Sequence, residues 1–304
     1  MRWARAIAGS LLASCHVDTN MSVVGTLSKG RKSALDDWQI AGASVPGAEH
    51  RRSDRPNQDA LTWRRSDDAV VAVVTDGCGS GTHSELGARL GAHLWATCTL
   101  DRLGRGQHPD DPQLWNDVSG DVLTGLGPLV ATLGQDRGEA IGAHLLFTVV
   151  GAVITKHRVA VVAIGDGLVV VNDTVHGLGP FPDNRPPYLG YGLLPGRSCP
   201  EPQLVHLGAV SEVDRLLLGT DGVLDLHERA SLPVPGTPEP VGELTQFFGP
   251  RCFRHADAMR RRLARIQREH VEVCWEQEQV VRRRGVLPDD TTLIALRRNG
   301  GEQR

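Results

Sequence analysis

The sequence predicts an α+β protein built on antiparallel sheets. Three observations carry this. Short β-branched apolar runs follow one another with turn formers between them. Helical stripes are few and stand apart from those runs. No strand–helix–strand repeat recurs, which disfavours a parallel sheet.

In chain order, residues 1–34 read as a flexible lead-in rich in Gly, Ser and Lys, and 35–300 as one domain. Arg2 and Arg5, the apolar stretch from Ala6 to Ala13, and then Leu12-Ala13-Ser14-Cys15 resemble a bacterial lipoprotein box. The plainer reading is an over-long start, with Met21 as initiator. Strands are expected at Ala69–Thr75, Leu145–Ile154, Arg158–Ile164, Leu168–Asn172, Arg215–Gly219 and Thr291–Leu296. Lys156-His157 and Asp166-Gly167 read as hairpin turns between successive strands. Ser84–Leu103 carries Leu86, Leu90, Leu94 and Cys98 four apart, a helical stripe, and Gln113–Gly134 is a second helix. The strongest helical spacing falls in His255–Arg284, through Met259, Leu263, Ile266, Val273 and Val280. Arginines crowd this stretch, but Glu269, Glu272, Glu276 and Glu278 are interspersed, so it reads as a solvated face with ion pairs. Residues 226–253, with Pro233, Pro235, Pro238 and Pro240, read as an inserted surface loop.

Composition excludes several classes. A net charge of −3 gives no electrostatic footprint for nucleic acid. No apolar run reaches the length of a membrane-spanning helix. The six cysteines are scattered without a C-x-x-C pair, so neither a zinc ribbon nor a disulfide framework is expected. They fit reduced thiols in a cytoplasmic protein.

The chemistry lies in how the apolar runs end. Val70–Thr75 leads into Asp76-Gly77, Val159–Gly165 into Asp166-Gly167, and Leu216–Thr220 into Asp221-Gly222. Asp289-Asp290 stands directly before the last strand, and Asp59 sits in Asn57-Gln58-Asp59-Ala60. Any one Asp-Gly is most simply a turn. Several acidic strand ends in one sheet system converge, and clustered carboxylates repel unless a cation lies between them. Hard divalent ions such as Mg²⁺ and Mn²⁺ take oxygen ligands of this kind. The turn Gly77-Cys78-Gly79-Ser80-Gly81 fits neither G-x-G-x-x-G, nor a P-loop, nor G-x-S-x-G.

The series Asn57-Gln58-Asp59-Ala60, Val74-Thr75-Asp76-Gly77, Gly165-Asp166-Gly167, Gly219-Thr220-Asp221-Gly222 and Asp289-Asp290-Thr291-Thr292 resembles the PP2C (PPM) phosphatase family, in order and approximate separation, from about Trp38 to Arg298. Gly47-Ala48-Glu49-His50, Asp76-Gly77-Cys78-Gly79-Ser80-Gly81 and Ser84-Glu85-Leu86-Gly87-Ala88 resemble a bacterial subgroup of it. The resemblance implies a four-layer αββα sandwich with two mainly antiparallel central sheets and metals at one edge. It implies hydrolysis of phosphoserine or phosphothreonine through a metal-bridging water, without a covalent intermediate. The cofactors would be two Mn²⁺ or Mg²⁺ ions, with room for a third.

The implied roles follow position by position. Asp76 would bridge two metals and the Gly77 carbonyl would ligate one. Asp59 would act on a metal directly or through water. Asp221 and Asp289 would complete the shell of the second metal, and Asp166 matches a third, weaker site. Asp290 stands where the family often has Asn and is read as either orienting or ligating. The family's phosphate-holding arginine position is Asp54 here, so Arg52 or Arg55 would take that part, or the loop is simply an exposed basic one. A family histidine after the Asp-Gly is replaced by Cys78. His50 and His83, each alone, read as structural. Asp173–Leu194 would lie beside the site as a substrate-side flap. The implied partner is a phosphoprotein in a serine/threonine kinase pathway. The competing reading is a catalytically inactive, PP2C-shaped regulatory binding module.

Overall fold

Apolar runs such as Val70–Val74 expose nothing to water on either face. Such a strand must pair on both edges and be covered on both faces. The computed structural model, which describes residues 34–134 and 136–299, meets this demand with two five-stranded sheets. The lead-in with Cys15 and Met21 lies outside the described residues.

The strands are β1 (Trp38–Val45), β2 (Asp59–Arg65), β3 (Ala69–Asp76), β4 (Val149–Thr155), β5 (Arg158–Ile164), β6 (Gly167–Val171), β7 (Thr174–Leu178), β8 (Gln203–Ala209), β9 (Arg215–Gly219), β10 (His270–Cys274), β11 (Gln279–Arg283) and β12 (Thr291–Arg298). The helices are α1 (Ala48–Arg52), α2 (Ser84–Gly104), α3 (Pro112–Leu133), α4 (Arg137–His144), α5 (Asp221–Glu228), α6 (Pro250–Arg254) and α7 (Ala258–Ile266). One sheet has the order β1-β12-β9-β6-β7, the other β2-β3-β4-β5-β8, and β10-β11 form a separate ribbon. Every strand pair is antiparallel.

Side-chain alternation sorts the strands into layers. On β3, Val70, Ala72 and Val74 point between the sheets, while Val71 and Val73 point to α2 and α3. There they meet Ala88, Ala92, Trp95, Leu114 and Val118. On β9 and β12, Leu216, Leu218, Ile294 and Leu296 fill the space between the sheets. Leu217, Leu293 and Ala295 face outward onto Leu226 of α5 and Leu263 of α7. The layers are therefore helix, sheet, sheet, helix, as the resemblance implies. Helix α3 begins where Asp111 accepts from the Gln113 amide, with Pro112 in the first turn.

Three expectations are corrected. Asp166-Gly167 is no hairpin turn: β5 and β6 belong to different sheets, and Gly165–Gly167 carries the chain across. Gly165 (φ +93) and Gly167 (φ +135) take backbone conformations that disfavour side chains. A Cβ on Gly167 would lie 2.6 Å from the Gly219 carbonyl oxygen, so only glycine lets β6 approach β9 there. The helix over His255–Arg284 ends at Ile266, and the remainder forms β10 and β11, where Val271, Val273, Val280 and Val281 prefer extended backbone. Residues 226–253 are not a surface loop alone. Val234, Val241, Leu244, Phe247 and Phe248 are buried against the β1-side sheet.

The five described cysteines are unpaired. Among the described residues, no helix is long and apolar enough to cross a membrane.

Candidate metal centre

Antiparallel pairing brings the acidic strand ends to one edge. Asp59 opens β2 and Asp76 closes β3, and the two are direct cross-strand partners. Gly219 ends β9 opposite Leu293 near the start of β12, which places Asp221 and Asp289-Asp290 at the same end of the other sheet. Asp166 lies on the crossing between the sheets. Asp221 is the first residue of α5, where unpaired helix amides favour a negative charge.

Hydrogen bonds tie the two sheets together at this edge. The Thr220 hydroxyl donates to Asp59 Oδ2 at 2.8 Å, and the Thr292 amide donates to Thr220 Oγ1 at 3.1 Å. Asn57 Nδ2 donates to Ser44 Oγ at 2.7 Å, and Ser44 Oγ lies 2.6 Å from Thr292 Oγ1. Asp290 is only 2% exposed and accepts three hydrogen bonds. Oδ1 takes the Gly47 amide at 2.7 Å, and Oδ2 takes the Gln58 amide at 2.6 Å and meets His50 Nδ1 at 2.8 Å. One ligand atom each of His50, Asp289 and Asp290 lies within 4.8 Å of the others. Asp289 is exposed, and its Oδ1 accepts from the Asp290 amide at 2.8 Å.

The electrostatics show a cluster lacking its countercharge. Burial, then the charges of Asp290 and Asp221, hold the Asp59 carboxyl well above its ordinary range. Burial, then the charges of Asp59, Asp221 and Asp289, do the same to Asp76. Asp221 is pushed up to about 7 by burial and then by Asp289 and Asp166. Burial, then Asp289, raises Asp166. Burial also raises Asp290, but the Gly47 and Gln58 amides and His50 offset part of this. Asp59 Oδ1 and Asp166 Oδ1 are buried without a hydrogen-bond partner. Buried polar atoms are normally satisfied. Mutually repelling carboxylates with orphaned oxygens fit a hard divalent cation.

Around this edge the glycine-rich turn is closely fixed. The Gly77 amide donates to the Gln58 carbonyl at 3.1 Å, and a Cβ on Gly77 would come within 2.8 Å of Gln58 and Ser84 oxygens. Gln58 Nε2 and Arg55 Nη2 both donate to the Gly81 carbonyl, each at 2.9 Å. Arg55 is thereby held at the turn that follows Asp76, whereas Arg52 projects into solvent from the end of α1. Asp54, at the position where the family has its arginine, takes a left-handed backbone (φ 53). His83 stacks on His144 at 5.4 Å between ring centroids.

Sequence reasoning missed Thr220 and the anchoring of Asp290 by His50 and Gln58, because their partners are over 150 residues away. It also left Tyr188 within a flap. Burial raises the Tyr188 hydroxyl, and Cys78 and the charges of Asp76 and Asp166 raise it further, so its ring stands beside the centre. The flap segment is partly built into the fold: β7 edges one sheet, and Leu189 and Leu193 are buried under α3 and α4.

Four layers with an acidic edge define the class: an αββα sandwich with its candidate site where the two sheets meet. The family described as Protein phosphatase 2C matches residues 46–267, well over half of the chain. The chain belongs to the protein phosphatase 2C family. The crystal structure of a bacterial serine phosphatase superposes with a TM-score of 0.51 at 15% identity, covering 86% of this chain and 98% of that one. Serine/threonine phosphatase Stp1 from Staphylococcus aureus gives 0.50 at 15% identity, covering 93% and 100% respectively. At such identities the likeness is one of fold. Comparison with curated protein sequences returns no match.

Proposed function

We propose that the chain is a divalent-metal-dependent phosphatase acting on phosphoserine or phosphothreonine of cytoplasmic phosphoproteins, within a serine/threonine kinase pathway. One observation carries the reading: Asp59, Asp76, Asp166 and Asp221, drawn from both sheets, are raised by burial and by carboxylates of the same edge, with Asp59 Oδ1 and Asp166 Oδ1 unpartnered. Mn²⁺ or Mg²⁺ relieves such a cluster. Asp59, Asp76, the Gly77 carbonyl, Asp221 and Asp289 would hold two ions, and Asp166 would help hold a third. Bound divalent ions supply an acidified water and screen a phosphoryl group.

The chain's own residues position this chemistry. Thr220 fixes Asp59 through Oδ2 and leaves Oδ1 free to ligate. Asp290, with both oxygens engaged, orients the Gly47 and Gln58 loops rather than ligating. Arg55, at the glycine turn, suits the phosphate better than Arg52, because a guanidinium offers a bidentate fork only where it is held near the reacting group. Tyr188 and the segment beside it wall the site on the substrate side.

The test is phosphate release from a phosphothreonine peptide, with and without Mn²⁺, by the wild-type chain and Asp76→Ala. Release that requires Mn²⁺ and drops more than ~100-fold in the variant is expected, because Asp76 would be lost as one of the carboxylates that hold the metal. No release with any divalent metal from peptide or aryl phosphate, on a folded protein, would replace this reading by the inactive binding module.

A further inference from the structure

Both tyrosines of the chain, Tyr188 and Tyr191, stand together beside the acidic edge. Backbone pairing sets them there. The Thr148 amide donates to the Asp76 carbonyl at 2.8 Å, and the Cys78 amide donates to the Leu146 carbonyl at 2.9 Å. Residues 146–148 therefore run against the strand end that carries Asp76. The Leu189 amide donates to the Phe147 carbonyl at 3.0 Å. On the other side of Tyr188, the Pro187 carbonyl oxygen would lie 3.0 Å from a Cβ on Gly165, the neighbour of Asp166. Tyr188 is thus fixed between the segment that pairs with Asp76 and the crossing that carries Asp166. Its hydroxyl hydrogen-bonds to the Cys78 side chain.

A shelf runs outward from that point. Tyr188 and Tyr191 are three apart, the spacing at which side chains of a 3₁₀ turn such as Leu189–Leu193 share a face. The two rings meet edge-on, with centroids 5.6 Å apart and planes at 74°. The Arg197 guanidinium lies over the Tyr191 ring, 5.1 Å from its centroid. Turn 194–197 sets this arginine, through the Arg197 amide donating to the Leu194 carbonyl at 3.2 Å. Arg197 is exposed and makes no ion pair among the described residues. A guanidinium stacked on a ring keeps its edge free for a carboxylate.

We propose that this shelf binds the peptide flanking the phosphorylated residue, and that Arg197 selects substrates with a carboxylate about three residues away. The spacing follows from the rings. Steps of 5.6 Å and 5.1 Å lead from Tyr188 to Tyr191 to the guanidinium. An extended peptide, rising about 3.3 Å per residue, covers them in about three residues. The tyrosine rings take its apolar and backbone atoms, and the guanidinium fork takes an Asp or Glu side chain. Because Tyr191 already holds the guanidinium, little rotamer freedom is lost on pairing. The proposal rests on the phosphatase reading above and narrows its substrates to phosphoproteins with acidic flanks.

The test is calorimetric binding of peptides to the full chain in Mn²⁺, with the non-hydrolysable phosphonate analogue of phosphothreonine at their centre. A single Asp is moved through successive positions on either side of it in an otherwise neutral peptide. Asp at one position about three residues away should bind about 5-fold tighter than the neutral peptide. Arg197→Ala should bring that ratio to about 1, and Arg197→Glu should reverse it in favour of Lys at the same position. Phosphate release from the phosphothreonine versions is read in parallel. A preference without release would keep the shelf and overturn the phosphatase reading. Release without a preference would overturn the shelf alone, and absence of both would overturn both. The shelf also falls if the preference survives Arg197→Ala, or if Arg197→Glu leaves it unreversed.

Discussion

Asp59 and Asp76 face each other as cross-strand partners on β2 and β3, at the edge where Asp221 and Asp289 also gather. An ordinary sheet avoids two carboxylates at paired positions, because like charges there are destabilising. Their burial sharpens the conflict and drives both groups toward the protonated form.

This gives the metal-free protein a defined pH dependence. Asp221 is raised to about 7 from an ordinary 3.8, and Asp59 and Asp76 are raised as well. Between those values the native state holds more protons than the unfolded chain. The contribution of Asp221 is therefore full below about pH 4, falls as pH rises toward about 7, and is flat beyond, while Asp59 and Asp76 act in the same direction. Metal-free Asp221→Asn should lose much of this slope and melt above the wild type at about pH 8. Thermal melts in a chelating buffer measure it. Stabilisation by Mn²⁺ should grow over the same interval, as the carboxylates deprotonate. Parallel pH profiles for wild type and variant would show that Asp221 ionises normally.

Asp289 and Asp290 are neighbours with opposite expected signatures. Asp290→Ala strips partners from the buried amides of Gly47 and Gln58 and from His50. It should cost about 2–4 kcal/mol of stability in metal-free protein. Asp289 is exposed and gives up one hydrogen bond to the Asp290 amide. Asp289→Ala should cost under about 1 kcal/mol, yet weaken Mn²⁺ binding about 10-fold or more. Urea denaturation and calorimetric metal titration separate the two effects. If Asp290→Ala kept full stability and Asp289→Ala kept full affinity, the assigned roles would be exchanged or void.

Gly222 shows how closely the second sheet is packed behind the site. A Cβ there would lie 2.0 Å from the Asp290 carbonyl oxygen, which belongs to backbone and has no easy retreat. Gly222→Ala should therefore destabilise the protein by about 1–3 kcal/mol and displace Asp221 and Asp290 together. The measurement pairs a melting temperature with Mn²⁺ affinity, and loss of both is expected. Undiminished affinity with a lowered melting temperature would mean that the two loops yield without disturbing the carboxylates.

The sequence announced the buried strands and the carboxylates that end them, because a fully apolar run followed by Asp-Gly leaves little freedom. β3, β5 and β9 are of this kind. Edge strands were harder to see. β8 is exposed along much of its length and reads Gln203-Leu204-Val205-His206, without a clear alternation. Gly165-Asp166-Gly167 has hairpin chemistry, and only the packing of Gly167 on Gly219 shows that it changes sheets. Val273 and Val280 kept helical spacing from Ile266 by coincidence, since both lie in the ribbon. The partners of Asp290 come from Gly47, His50 and Gln58, at separations no local pattern encodes.

Arg52 and Arg55 were indistinguishable as residues in a basic run, and their surroundings now separate them. Arg55 donates to the Gly81 carbonyl at 2.9 Å, the same oxygen that holds Gln58, the neighbour of Asp59. Arg52 is exposed at the end of α1. Arg55→Ala should raise the KM for a phosphothreonine peptide about 10-fold, the worth of one charge-assisted hydrogen bond. Arg55→Lys should recover only part of this, because an ammonium cannot present the guanidinium's fork. Arg52→Ala should change KM less than about 2-fold, as exposed charges contribute little. Steady-state kinetics at saturating Mn²⁺ reads all three. A larger effect from Arg52 than from Arg55 would mean that the α1 loop rearranges around the substrate, and that the contact with Gly81 belongs to the resting loop alone.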